Sequence, residues 1–94
     1  MDVDLSTTLV EVYMRPGCHL CEVAVDLLEA LQDARGFRLV ERNILDEPDW
    51  FERFRHRVPV VYVDGVERLA LRFSQAELEA VLERAARLGD ERDL

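Results

Sequence analysis

Along this chain the spacing of apolar positions changes period several times, and each change marks an element. Leu9-Val10-Glu11-Val12-Tyr13-Met14 is short, β-branched and aromatic, the composition of a buried strand. Arg15-Pro16-Gly17 breaks it. From Cys18 onward Leu20, Ala24, Leu27, Leu28 and Leu31 recur at helical spacing, with Glu22, Asp26, Glu29 and Asp33 toward the other side, so an amphipathic helix is predicted up to Arg35, with Gly36 as its stop. Phe37 to Ile44 alternates as a second strand does. Glu47-Pro48-Asp49 starts a short helix that ends near Arg57, with Trp50, Phe51 and Phe54 packing on a sheet. Val58 to Val63 is a third strand with Pro59 at its beginning, and Asp64-Gly65 is the signature of a type I′ turn into a fourth strand, Val66 to Leu71. Ser74-Gln75-Ala76-Glu77 forms a capping box, and Leu78, Val81, Leu82, Ala85 and Leu88 carry a final helix to Gly89.

The order strand, helix, strand, short helix, strand, strand, helix predicts an α/β domain. Its first strand–helix–strand unit should be parallel with a right-handed crossover, and its last two strands antiparallel across their tight turn. A mixed four-stranded sheet flanked by helices follows. At 94 residues and 49% hydrophobic content the chain should form one domain, 1–94, with a core over about 9–88 and solvated tails at 1–8 and 89–94. Such a chain buries roughly two-thirds of its unfolded surface.

The net charge is −8, from 12 basic and 20 acidic residues, which argues against nucleic acid or an anionic membrane as partner. Asp2 and Asp4 stand where a secretory leader would carry basic residues, and no apolar run approaches the length of a membrane span. The expectation is a soluble, cytoplasmic monomer.

The chemistry concentrates at Cys18-His19-Leu20-Cys21, placed where the first strand ends and the first helix begins. The two cysteines close too small a loop to constrain the unfolded chain much, so a reactive role is the better reading than a structural one. A sulfur in a first helical turn lies near unpaired N–H groups and the positive end of the helix dipole, which favour a thiolate. A second cysteine one turn later is within disulfide range. Zinc is a poor fit: a closed site takes four ligands, and the only other histidine, His56, has no second cysteine pair beside it.

The run Tyr13-Met14-Arg15-Pro16-Gly17-Cys18-His19-Leu20-Cys21, followed later by Val58-Pro59 and then Asp64-Gly65, resembles the glutaredoxin branch of the thioredoxin-like fold. The resemblance covers roughly Leu9 to Leu88 and implies that Pro59 is cis and lies beside the cysteines, with the Val58 backbone pairing with bound peptide or glutathione. Several positions depart from the wider pattern. Val12 stands where thioredoxins bury a carboxylate, and Gly17 stands where they usually have tryptophan. Leu69-Ala70-Leu71-Arg72 and Gln75 replace the glycine pair and acid that often hold glutathione, and Arg57 replaces a threonine. The chain thus reads as a member of a divergent subgroup.

The resulting expectation is a dithiol thiol–disulfide oxidoreductase in which Cys18 attacks a substrate disulfide and Cys21 resolves it. Arg15, His19, Arg57, Val58 and Pro59 are the candidate substrate-binding residues. Arg15 and a charged His19 would tune Cys18, while Arg55 or Arg57 would hold a carboxylate. No bound cofactor is expected. Glutathione or a reductase would supply electrons, and the partner would be a disulfide-containing protein or a low-molecular-weight thiol. The alternative is a non-catalytic module on the same fold that binds metal or an iron–sulfur cluster, or senses redox state.

Overall fold

A computed structural model describes residues 5–92. Four strands and three helices follow the predicted order: β1 (Leu9–Met14), α1 (His19–Arg35), β2 (Arg38–Asn43), α2 (Pro48–Phe54), β3 (Val60–Val63), β4 (Val66–Ala70) and α3 (Gln75–Arg92). A short 3-10 turn, Ile44–Asp46, follows β2 and is not visible in the hydrophobic pattern. The sheet order is β2-β1-β3-β4. β1 pairs parallel with β2 and antiparallel with β3, and β3 pairs antiparallel with β4.

Period-two alternation in the central strands divides the interior. Val10 and Val12 of β1 and Val61 and Val63 of β3 face α1 and α3, where they meet Leu28, Leu31, Phe37, Leu78 and Leu82. Tyr13, Val60 and Tyr62 turn to the other face, where Phe54 of α2 is buried and Trp50 packs at its side. Phe54 lies 4.6 Å from the Tyr13 ring and 6.0 Å from the Tyr62 ring, with the latter pair edge-on. Phe51, expected on the sheet, instead points outward at 38% exposure with the Arg55 guanidinium over its ring. A seven-residue helix offers only one narrow inward stripe, and Trp50 and Phe54 occupy it.

The chain's turning points are set by local chemistry. Gly36 ends α1 at φ 81, donating its N–H to the Gln32 carbonyl, a left-handed cap that disfavours any side chain. Asp64 and Gly65 both have positive φ, as a type I′ turn requires, and the Asp64 carboxylate accepts the Leu9 N–H, tying the hairpin to β1. Two expectations need correcting. Leu5 and Thr8 are buried rather than part of a solvated tail: Leu5 joins the α1–α3 core, and the Thr8 carbonyl accepts the Arg38 N–H at the start of β2. At the other end α3 continues through Gly89 to Arg92, because one helical glycine costs only about 1 kcal/mol relative to alanine and does not by itself stop a helix. The expectations placed on Met1–Asp4 and on residues 93–94 lie outside the described residues.

Candidate active site

β1 delivers the chain to the end of the sheet, and the exposed turn Arg15-Pro16-Gly17 redirects it into α1. Gly17 adopts φ 74 with open space where a Cβ would stand, so glycine is required there by the backbone and not by crowding. Cys18 is the residue before the first helical turn. Its backbone is extended, its carbonyl accepts the Glu22 N–H at 3.0 Å, and its Sγ accepts the Cys21 N–H at 3.2 Å. The sulfur thus does what a serine or aspartate oxygen does at a helix N-cap, and charge developing on it is met by a backbone donor and the positive end of α1.

Cys21 sits one turn on, at 1% exposure, in the cluster of Ile44, Phe54, Val58 and Val60, while Cys18 is partly exposed at its edge. Burial, reinforced by a hydrogen bond with the Cys18 thiol, pushes the Cys21 thiol up to about 12; the Arg15 backbone and charge pull weakly the other way. The pair therefore combines an outer sulfur that a substrate can reach with an inner one held as a neutral thiol.

The other predicted residues divide into two groups. Arg15 and His19 flank Cys18 and are exposed, with His19 Nδ1 3.9 Å from the Glu22 carboxylate. Val58 and Pro59 are buried at the start of β3, the peptide bond between them is cis, and Val58 shares a cluster with both cysteines. The Val58 N–H is engaged by the Phe54 carbonyl at 3.1 Å, and the Pro59 carbonyl accepts the Leu71 N–H at 2.9 Å. Arg57 is engaged within the fold: its guanidinium pairs with Glu67 on β4 and lies over the Phe54 ring. Arg53 likewise binds the Tyr62 hydroxyl at 3.2 Å. Arg55 and His56 beside them are exposed, with Arg55 stacked over Phe51.

Sequence reasoning missed Leu71, which has φ 68 although it is a bulky residue, and which joins the cis-proline loop to α3. Its only sequence signal was the absence of glycine from Leu69-Ala70-Leu71-Arg72. Among the described residues no group of three or more His, Cys, Asp or Glu is placed to hold a metal ion, and no helix is long and apolar enough to cross a membrane.

This architecture, a β2-β1-β3-β4 mixed sheet with a Cys-x-x-Cys pair opening α1, is the thioredoxin-like fold. Thioredoxin 1 of Thermosipho africanus superposes with a TM-score of 0.65 at 15% identity, covering 87% of this chain and 98% of that one. The family is narrower. The glutaredoxin-like domain profile (DUF836) matches residues 9–83, and the chain belongs to that family. Two solved structures are more similar in sequence. The structural genomics target XcR50 from X. campestris is 29% identical with a TM-score of 0.68, over 80% of this chain and 96% of that one. Protein Ne2328 from Nitrosomonas europaea is 28% identical with a TM-score of 0.68, over 86% and 98%.

Proposed function

We propose that the protein is a dithiol thiol–disulfide oxidoreductase. The observation that carries this reading is the asymmetry of the pair: a partly exposed Cys18 sulfur at the head of α1, receiving the Cys21 N–H, beside a Cys21 thiol that is almost wholly buried. In the first step the Cys18 thiolate attacks a substrate disulfide R–S–S–R′. A Cys18–S–R bond forms and R′S⁻ leaves, taking up a proton from solvent. In the second step Cys21 loses its proton, attacks the Cys18 sulfur and displaces RS⁻, which leaves as RSH. The products are two thiols and a Cys18–Cys21 disulfide: the dithiol has supplied the electron pair, and the two protons its thiols gave up balance the two taken up by the leaving thiolates. A low-molecular-weight thiol such as glutathione, or a reductase, restores the dithiol.

The high pKa of Cys21 fits this order. The resolving thiol stays protonated while Cys18 is free, and removing the Cys18 thiol by forming the mixed disulfide also removes one of the interactions that holds its proton. Arg15 is the cation nearest the attacking sulfur along the chain, His19 is the residue after it, and the Val58 carbonyl, in the cis peptide bond, is the acceptor proposed to pair with a bound substrate. Arg57 is already paired with Glu67, which would compete with a substrate carboxylate for its guanidinium.

The test is trapping. In Cys21→Ser, incubation with a peptide disulfide should accumulate a mixed disulfide on Cys18, seen by intact mass and peptide mapping, while Cys18→Ser accumulates none. The wild type under the same conditions should end as the intramolecular disulfide. Absence of any adduct, or thiols shielded by a bound metal or cluster, overturns the reading in favour of a binding module.

A further inference from the structure

A cleft of about 370 Å³ opens between the first turns of α1 and the connection from β4 to α3, beginning at Leu20 inside the Cys-x-x-Cys motif. Leu20, Val23 and Leu27 line one wall, and Leu71 and Phe73 the other. Val23 and Leu71 are large apolar side chains left 43% and 46% exposed. Leu71 reaches this position only through a left-handed backbone at φ 68, a conformation that bulky residues rarely adopt, and its N–H is pinned to the Pro59 carbonyl at 2.9 Å. An unfavourable local conformation that presents an apolar side chain to water, rather than burying it, points to a function for that side chain.

Charge decides what the cleft accepts. Its far end is the start of α3, a position that would otherwise attract an anion. There the Ser74 N–H and hydroxyl both donate to one Glu77 carboxylate oxygen, at 3.1 and 3.2 Å, and the Glu77 N–H donates to the Ser74 hydroxyl at 3.1 Å. The protein's own carboxylate already holds that end, and the exposed Arg72 guanidinium on the rim balances Glu77, so the lining carries no net charge. An apolar group entering beside Leu71 loses contact with water at no electrostatic cost, whereas a ligand carboxylate finds the start of α3 already occupied by Glu77.

Building on the oxidoreductase reading, we infer that Leu71, with Leu20 and Val23, is the specificity surface of the site: it selects polypeptide disulfides carrying a large apolar residue beside the half-cystine over anionic small-molecule disulfides such as oxidised glutathione. The cleft meets the Cys-x-x-Cys motif at Leu20, and Leu71 on its other wall is hydrogen-bonded to Pro59, the neighbour of the Val58 that packs with both cysteines, so a polypeptide bonded to Cys18 has this apolar surface within reach of the side chain next to its half-cystine.

The experiment measures single-turnover oxidation of the pre-reduced full chain by three probes. Two are peptide disulfides identical except for Leu or Asp next to the half-cystine, and the third is oxidised glutathione. The wild type should react with the Leu peptide about tenfold faster or more than with either of the others. In Leu71→Asn, which keeps a residue tolerant of positive φ, the Leu/Asp ratio should fall below about threefold, and Val23→Gln, on the exposed side of α1, should lower it in the same direction. Taking the ratio cancels any general loss from misfolding, and circular dichroism monitors the fold. A wild-type ratio near one, a ratio undiminished in both variants, or faster reaction with oxidised glutathione overturns the inference while leaving the dithiol mechanism standing. A Leu71→Asn variant that turns a dimer into a monomer with its ratio unchanged also overturns it, by showing that a second copy fills the cleft. No reaction with any probe, nor with a small aromatic disulfide, removes the oxidoreductase reading and this one with it.

Discussion

Alkylation of Cys21 in the reduced protein should be slower than ordinary thiol chemistry by a factor that the structure sets. Its pKa is pushed to about 12 from an ordinary value of 9.0, first by burial and second by its hydrogen bond with Cys18. Three pKa units correspond to about 4 kcal/mol favouring the neutral thiol, or roughly a thousandfold less thiolate at any pH well below 9. Near pH 8 about one in ten ordinary thiols is ionised, against about one in ten thousand for Cys21. The assay is pulsed iodoacetamide labelling across rising pH, with peptide mass mapping of each cysteine, in the native state and in concentrated guanidinium. Native Cys21 should be labelled at least about a hundredfold more slowly than unfolded Cys21, with its rate rising about tenfold per pH unit. Cys18→Ala removes the secondary cause and leaves burial, so it should speed Cys21 labelling only partly. Linkage fixes the sign for stability. The folded pKa lies above the unfolded one, so the Cys21 contribution is fully present below about pH 9 and is lost as pH rises toward about 12. That component of alkaline destabilisation should be missing from Cys21→Ala. Native labelling of Cys21 within about tenfold of the unfolded rate near pH 8 would refute the burial argument.

Two further predictions concern the scaffold. Phe54→Ala removes a ring that is 1% exposed and packed between Tyr13 and Tyr62, so it should cost about 3–5 kcal/mol in urea unfolding; a loss below about 1 kcal/mol would show that α2 does not seat this ring on the sheet. Gly36→Ala places a Cβ where nothing lies within 4 Å but at φ 81, so the cost should be purely conformational, about 1–2 kcal/mol, with disulfide-exchange rates unchanged. A loss in activity larger than the change in stability explains would mean that the end of α1 communicates with Cys18.

Much of this protein was legible along the chain because its signals are local. Gly36 as a helix stop, Asp64-Gly65 as a hairpin turn and Ser74 with Glu77 as a capping box each depend on backbone geometry within four residues, and each was found where expected. So was the Cys18–Cys21 pair at the head of α1. Phe51 and Arg57 were harder. Helical spacing cannot say how wide a stripe a sheet will cover, and Arg57 has a carboxylate partner, Glu67, on a strand that only folding brings alongside. Leu5 falls in the segment expected to be a solvated tail because chain ends usually fray, yet the space it fills in the core is bounded by residues distant in sequence.

The sequence by itself determined the order of elements, the mixed sheet and the place of the Cys-x-x-Cys pair at the head of α1, since periodicity, caps and turns are read from adjacent residues. Tertiary structure decided how the two thiols differ. Cys18 and Cys21 are chemically the same side chain three positions apart, and only the packing of Ile44, Phe54, Val58 and Val60 around one of them makes it the buried, protonated partner. The left-handed Leu71 was decided in the same way, by a hydrogen bond to Pro59 across the fold. Desolvation and long-range hydrogen bonds depend on distances between segments far apart in the chain, and those distances exist only once it has folded.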